Sequence, residues 1–165
     1  MWTRFWALCA VSGLWMSKST YEEQLQIHGK LVYTNVGDSM MPLLRQRRDL
    51  LIIEPRPEGR CKKYDVVLYR RPSGQYVLHR ILKVRKHDYV ICGDNRRIRE
   101  FGVPDAWIFG LLTGVVRDGK QVDLTSFKYR LYVHLWCDFF WIRAALLWLR
   151  NALSKRKRKH EKERR

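Results

Sequence analysis

The sequence predicts a mainly antiparallel β domain, led by a short helix and trailed by an apolar one. Three observations carry this expectation. Six short β-branched or aromatic runs, separated by turn residues, fill the middle of the chain; a threonine-led acidic turn ends in a glycine just before them; and an almost wholly apolar stretch without turn residues follows. A chain of 165 residues has room for one compact domain with attached segments. Its apolar fraction of 46% and aromatic fraction of 13% suffice for a core beside 30% charged residues, which excludes global disorder. The composition shifts divide the chain into a leader over 1–20, a folded domain over 21–125, an apolar helix over 126–153 and a basic tail over 154–165.

The leader is apolar from Phe5 to Met16, roughly half the ~20 residues that a membrane helix needs. It resembles a signal peptide in outline, but Ser17-Lys18-Ser19-Thr20 follows where an Ala-x-Ala site would be expected, and Met16 serves equally well as a start of translation. Thr20 before Glu22 and Glu23 reads as a helix N-cap with acids in the first turn, so a helix over Tyr21 to His28 is expected, stopped by Gly29. Strands are expected at Leu31 to Thr34, Leu50 to Glu54, Asp65 to Tyr69, Tyr76 to Val84, Tyr89 to Cys92 and Leu111 to Arg117. Pro55-Arg56-Pro57-Glu58-Gly59, Pro72-Ser73-Gly74 and Gly93-Asp94-Asn95 supply the turns between them. Leu131 to Leu149 reads as one helix, with Arg130, His134 and Asp138 on a single stripe and Arg143 on the opposite side.

Lys and Arg number 33 against 16 Asp and Glu, a net charge of +17, which favours phosphate-rich or anionic-lipid surfaces. Much of the excess lies in the run from Ser154 to Arg165, which cannot bury itself and is expected to be solvated. Cys9, Cys61, Cys92 and Cys137 are far apart and form no Cys-x-x-Cys pair, and the five histidines make no close ligand pair, so no metal or other cofactor is predicted.

Three segments carry residue types suited to nucleophilic catalysis. In Val36-Gly37-Asp38-Ser39-Met40-Met41-Pro42, a serine lies between a glycine and a conformation-restricting proline, so its hydroxyl can be presented rigidly. Gly37, Asp38 and Met40 flank it as candidate substrate or oxyanion contacts, with the Ser39 amide as a donor; the alternative is a plain turn with Met40 in the core. In Tyr76-Val77-Leu78-His79-Arg80-Ile81, the imidazole of His79 is suited to take a serine proton near neutral pH; the alternative is a structural strand histidine. In Gly93-Asp94-Asn95, a carboxylate leaves the end of an apolar strand, which by itself signals only a turn.

Taken in order, Gly37-Asp38-Ser39-Met40-Met41-Pro42, Arg48-Asp49-Leu50-Leu51-Ile52-Ile53, Tyr64-Asp65-Val66-Val67-Leu68-Tyr69, Leu78-His79-Arg80-Ile81 and Gly93-Asp94-Asn95 resemble the sequence boxes of the signal-peptidase-like (S24/S26) serine peptidases. The resemblance covers Leu31 to Arg117, about half of the chain. It is to the histidine type found in endoplasmic-reticulum and archaeal signal peptidases, with His79 in the place where eubacterial enzymes and self-cleaving repressors carry lysine. It implies Ser39 as nucleophile and His79 as general base, on an incomplete barrel of antiparallel strands that takes an extended substrate as an extra strand. Small side chains before the scissile bond are implied as well. Two carboxylates stand where the family orients its histidine, Asp94 and Glu100, and Asp94 is slightly favoured because the extra methylene of Glu100 displaces its carboxylate. The chain departs from the usual Ser-Gly-Ser at Gly37-Asp38-Ser39, leaving oxyanion stabilisation to backbone amides.

A peptide or secretory precursor is the partner implied as substrate. An anionic membrane surface is expected to bind Leu131 to Arg165. His134, Asp138 and Arg143 argue against a span, since Asp and Arg each cost about 2.5–3.5 kcal/mol at a helix centre. Peripheral attachment at the cytoplasmic face is therefore favoured over a single span with an external catalytic domain. The competing classes are a non-catalytic basic module holding membrane or nucleic acid and a self-cleaving regulator. No helix-turn-helix or RNA-binding aromatic motif is present, so no specific nucleic acid is predicted.

Overall fold

The computed structural model describes residues 20–34 and 36–163; the apolar leader lies outside the described residues. Helix α1 spans Tyr21–His28. The Thr20 hydroxyl accepts the Glu23 amide at 3.2 Å while the Glu23 carboxylate accepts the Thr20 amide at 2.8 Å, closing a capping box. Gly29 ends the helix at φ 66, a left-handed conformation that a glycine adopts without cost from a Cβ. Leu25 is the residue that α1 buries. It packs over Gly110, where an added Cβ would meet Ile53 Cγ2 at 2.6 Å and Leu25 Cδ1 at 3.3 Å.

Eight strands follow: β1 Leu31–Thr34, β2 Asp49–Pro55, β3 Val66–Arg70, β4 Tyr76–Val84, β5 Tyr89–Cys92, β6 Glu100–Val103, β7 Ile108–Arg117 and β8 Lys120–Gln121. They form one antiparallel sheet in the order β1-β2-β7-β3-β4-β5-β6, with β8 paired to the end of β7. The mainly β expectation therefore holds, as an open sheet whose outer strands are β1 and β6. β3 alternates between two cores. Val66 and Leu68 join Leu25, Leu51, Ile53 and Val115 in one, whereas Val67 and Tyr69 join Val77, Ile81 and Ile91 in the other. Burial on both faces explains why β3 reads as an unbroken apolar run rather than an alternating one.

The apolar stretch near the end differs from its expectation. It forms two helices, α2 Phe127–Asp138 and α3 Phe140–Glu163, because Phe139 leaves the helical region at φ −94, ψ 52. The change of direction lets Trp136 of α2 and Arg143 of α3 both bond to main-chain carbonyls in the segment after β5. The backbone of α3 also continues through much of the basic run, so that run is an extension of the helix to Glu163. Among the described residues, no helix is long and apolar enough to cross a membrane.

Candidate active site

Ser39 lies in the loop between β1 and β2, and each part of that loop is tied to the sheet. Met40 and Leu44 insert into the first core. The Met41 amide donates to the Asp38 carbonyl at 3.1 Å and the Leu44 amide to the Met40 carbonyl at 2.9 Å, and the Met41–Pro42 bond is cis. At the far end, buried Asp49 accepts the Arg45 amide at 2.7 Å and Arg117 at 2.9 and 2.6 Å. Although burial opposes ionisation, the bonds from Arg117 and Arg45 hold the Asp49 carboxyl below its ordinary value.

The near end of the loop docks on the turn after β5. The Asn95 amide donates to the Ser39 carbonyl at 2.7 Å, the Asn95 side chain donates to the Asp38 carbonyl at 3.0 Å, and Arg96 pairs with Asp38 at 2.7 Å. Gly93 allows this approach. A Cβ on it would lie 2.7 Å from the Ser39 carbonyl oxygen and 2.9 Å from His79 Nε2, so the two atoms are no farther apart than the sum of those distances. The serine loop and the imidazole thus meet over one glycine, although no hydrogen bond joins the Ser39 hydroxyl to the ring.

His79 sits on β4 opposite Val67 of β3 and is 6% exposed. With Nε2 toward Gly93, its other nitrogen, Nδ1, is 3.1 Å from a Glu100 carboxylate oxygen and 3.4 Å from the Tyr69 hydroxyl. Arg71 grips Glu100 with two bonds, 2.9 and 2.5 Å. Burial pushes the Glu100 carboxyl up, but bonds with His79, Arg71 and Tyr69 outweigh it and hold the group far below its ordinary value, ionised.

Asp94 is elsewhere. Fully buried, it accepts Arg80 at 2.9 and 2.8 Å and the Tyr132 hydroxyl at 3.0 Å, and its carbonyl accepts the Trp136 indole at 2.7 Å. The slight preference for Asp94 over Glu100 is therefore corrected: the carboxylate against the imidazole is that of Glu100. The reason is strand alternation. His79 and Arg80 are neighbours on β4 and project to opposite faces, so the turn carboxylate meets the arginine while the carboxylate at the start of β6 meets the histidine. The remaining Arg80 nitrogen donates to the Tyr64 carbonyl at 2.9 Å and the Tyr129 hydroxyl at 3.1 Å. The first of these bonds helps to hold Tyr64 at φ 80, an uncommon conformation for a tyrosine.

Of the flanking candidates, Gly37 is exposed, Asp38 is engaged by Arg96 and Asn95, and Met40 turns its side chain into the core. The Arg96 bond, against a smaller effect of burial, holds the Asp38 carboxyl below its ordinary value. Among the described residues, neither the Ser39 nor the Met40 amide donates to a main-chain carbonyl. Arg71, Tyr69 and Asn95 also belong to the site, and no spacing in the sequence singles out Arg71 or Tyr69. Arg71 reaches Glu100 only because β3, β4, β5 and β6 lie side by side. Asn95 had a signal in the Gly-Asp-Asn turn, where the carboxylate drew the attention instead. Chemically, the arrangement offers a hydroxyl and an imidazole with a carboxylate behind it. Comparison with family models, with curated proteins and with solved structures finds no match to this chain.

Proposed function

We propose that this chain is a serine endopeptidase of the signal-peptidase-like class, cleaving a peptide or secretory precursor with Ser39, His79 and Glu100. The supporting observation is the convergence over Gly93, with His79 Nε2 turned toward the serine loop while Nδ1 faces an ionised Glu100. In this reading the Nδ1–H donates to Glu100, which leaves Nε2 as the acceptor for the serine proton. Catalytic hydrogen bonds are often long before substrate binds, so the absence of an Oγ–Nε2 bond is compatible with that role.

Ser39 Oγ attacks the scissile carbonyl as its proton passes to His79. The negative charge that forms on the carbonyl oxygen is met by the Ser39 and Met40 amides. His79 then gives the proton to the leaving amine as the C–N bond breaks, and a water attacks the acyl-serine with His79 again as base, releasing the acid. Both outer strands end in the site: β1 runs into the Ser39 loop and β6 begins at Glu100. An extended substrate added beside β1 would carry its scissile bond to the hydroxyl, with main-chain pairing supplying affinity.

The test is to digest a library of peptides with the full chain and read the new termini by mass spectrometry. Ser39→Ala and His79→Ala each abolish cleavage while keeping the wild-type melting transition. A folded Ser39→Ala protein that cuts the same bonds would remove the proposal.

A further inference from the structure

Helix α3 buries a narrow stripe and leaves a broad apolar face toward solvent. An ordinary surface helix buries its apolar stripe and turns charge to water. Here the inward stripe is Phe140, Arg143 and Leu147, and its middle member is a cation: Arg143, 1% exposed, donates to Cys92 Sγ at 3.1 Å and the Arg96 carbonyl at 3.0 Å beneath the Phe140 ring. The residues turned outward are apolar. Trp141 is 82% and Ile142 59% exposed, and Leu146, Trp148 and Leu149 are exposed beside them. Helix α2 adds exposed apolar residues of its own. Leu131 and Leu135 are exposed at a spacing of four on α2, and Ile142, Leu146 and Leu149 at spacings of four and three on α3, with exposed Phe139 at the break between the helices.

A large apolar face left toward solvent marks a docking surface. Its occupant is indicated by charge. The same helix continues, in sequence, through Lys155-Arg156-Lys157-Arg158-Lys159, and the whole chain carries +17. A second copy would bring two strongly positive bodies together, whereas an anionic surface is complementary. No described helix is long and apolar enough for a span, but a helix lying flat needs only an outward apolar face, indole rings suited to the headgroup layer, and cations in the same helix.

We propose that the outward face of α2 and α3 docks, parallel to the surface, on an anionic lipid bilayer. The same helices reach the turn on which the serine loop docks, Arg150 donating to the site residue Asn95 at 2.6 Å and Trp136 and Tyr132 bonding to its neighbour Asp94. A docked bilayer therefore lies about one helix diameter, ~10–12 Å, from the turn that carries the serine loop. Lipid docking itself does not depend on the peptidase reading, and its test reads no cleavage.

The experiment is co-sedimentation of the full chain with vesicles of pure phosphatidylcholine and with vesicles containing about one-third phosphatidylglycerol. Each cation near an anionic surface raises partitioning about five-fold, so the second vesicle binds at least ~10-fold more tightly, and salt weakens it. The double variant Ile142→Glu/Leu146→Glu, at exposed positions, loses at least ~10-fold in that binding at an unchanged melting temperature, and Ile142→Ser/Leu146→Ser loses it in the same direction. The proposal is overturned if the wild-type chain ignores phosphatidylglycerol vesicles, if the serine variant binds them as the wild type does, or if ultracentrifugation shows a dimer that the same variants abolish.

Discussion

Gly93→Ala tests the geometry on which the proposed chemistry stands. The new methyl would lie 2.7 Å from the Ser39 carbonyl oxygen, 2.9 Å from His79 Nε2 and 3.0 Å from Arg96 Cγ. Comfortable contact begins several tenths of an ångström farther out, at about 3.5 Å between carbons. Arg96 is long and can move. The other two cannot move easily, because one is main chain held by the Asn95 amide at 2.7 Å and the other is a buried ring on a central strand. Relief therefore requires the serine loop and the imidazole to separate by roughly 0.5–1 Å, a misplacement that costs up to about 100-fold in kcat/KM. The overpacking itself costs about 1–3 kcal/mol in stability. Cleavage rates on the best library peptide, set beside thermal melts, distinguish the two effects. Ile53→Val, a buried change in the core that also holds Met40, costs about 0.5–1.5 kcal/mol and serves as a destabilised control expected to keep its rate. A folded Gly93→Ala protein that cleaves at the wild-type rate would refute the convergence of loop and ring.

Glu100→Gln, which removes the charge behind His79 but keeps the shape, lowers kcat by about 100- to 10,000-fold with KM little changed, as steady-state kinetics would show. Asp94→Ala acts on stability, since it leaves the buried Arg80 guanidinium half unpaired; equilibrium urea unfolding should show a loss of about 3–5 kcal/mol, with Arg80→Met/Asp94→Leu recovering much of it. Acid weakens the fold with a defined sign. The native carboxyls of Glu100 and Asp49 titrate below their ordinary values, so the unfolded chain binds more protons in that range and stability rises with pH there. Urea midpoints are flat from roughly pH 6 to 8 and fall below about pH 5, as pH drops through the ordinary carboxylate range toward the depressed native values, and Glu100→Gln or Asp49→Asn flattens the fall.

Local signals found most elements because each rests on a short-range cause. The Thr20 cap and the Gly29 stop act within one helical turn, and β1, β4 and β5 coincide with runs bounded by turn residues. β6 escaped because Glu100-Phe101-Gly102-Val103 is no β-branched or aromatic run, with Gly102 at φ 74 inside it. β7 begins three residues before its expected start, and Gly110 within that extension admits the Ile53 and Leu25 side chains. The single helix became two because the conformation at Phe139 answers to contacts around β5 that no helical period encodes.

The candidate site divides along the same line. Order along the chain, through its resemblance to the signal-peptidase-like boxes, put forward Ser39, His79 and the two carboxylates as candidates. Which carboxylate reaches the imidazole was decided only by folding. On an extended strand, adjacent residues face opposite ways, so His79 and Arg80 each take the acid that the sheet brings to their own side, Glu100 and Asp94. The exposed face of α3 is also a tertiary result: composition shows that the segment is apolar, but only its packing, with Phe140, Arg143 and Leu147 drawn inward, determines that Trp141, Leu146, Trp148 and Leu149 are left facing out.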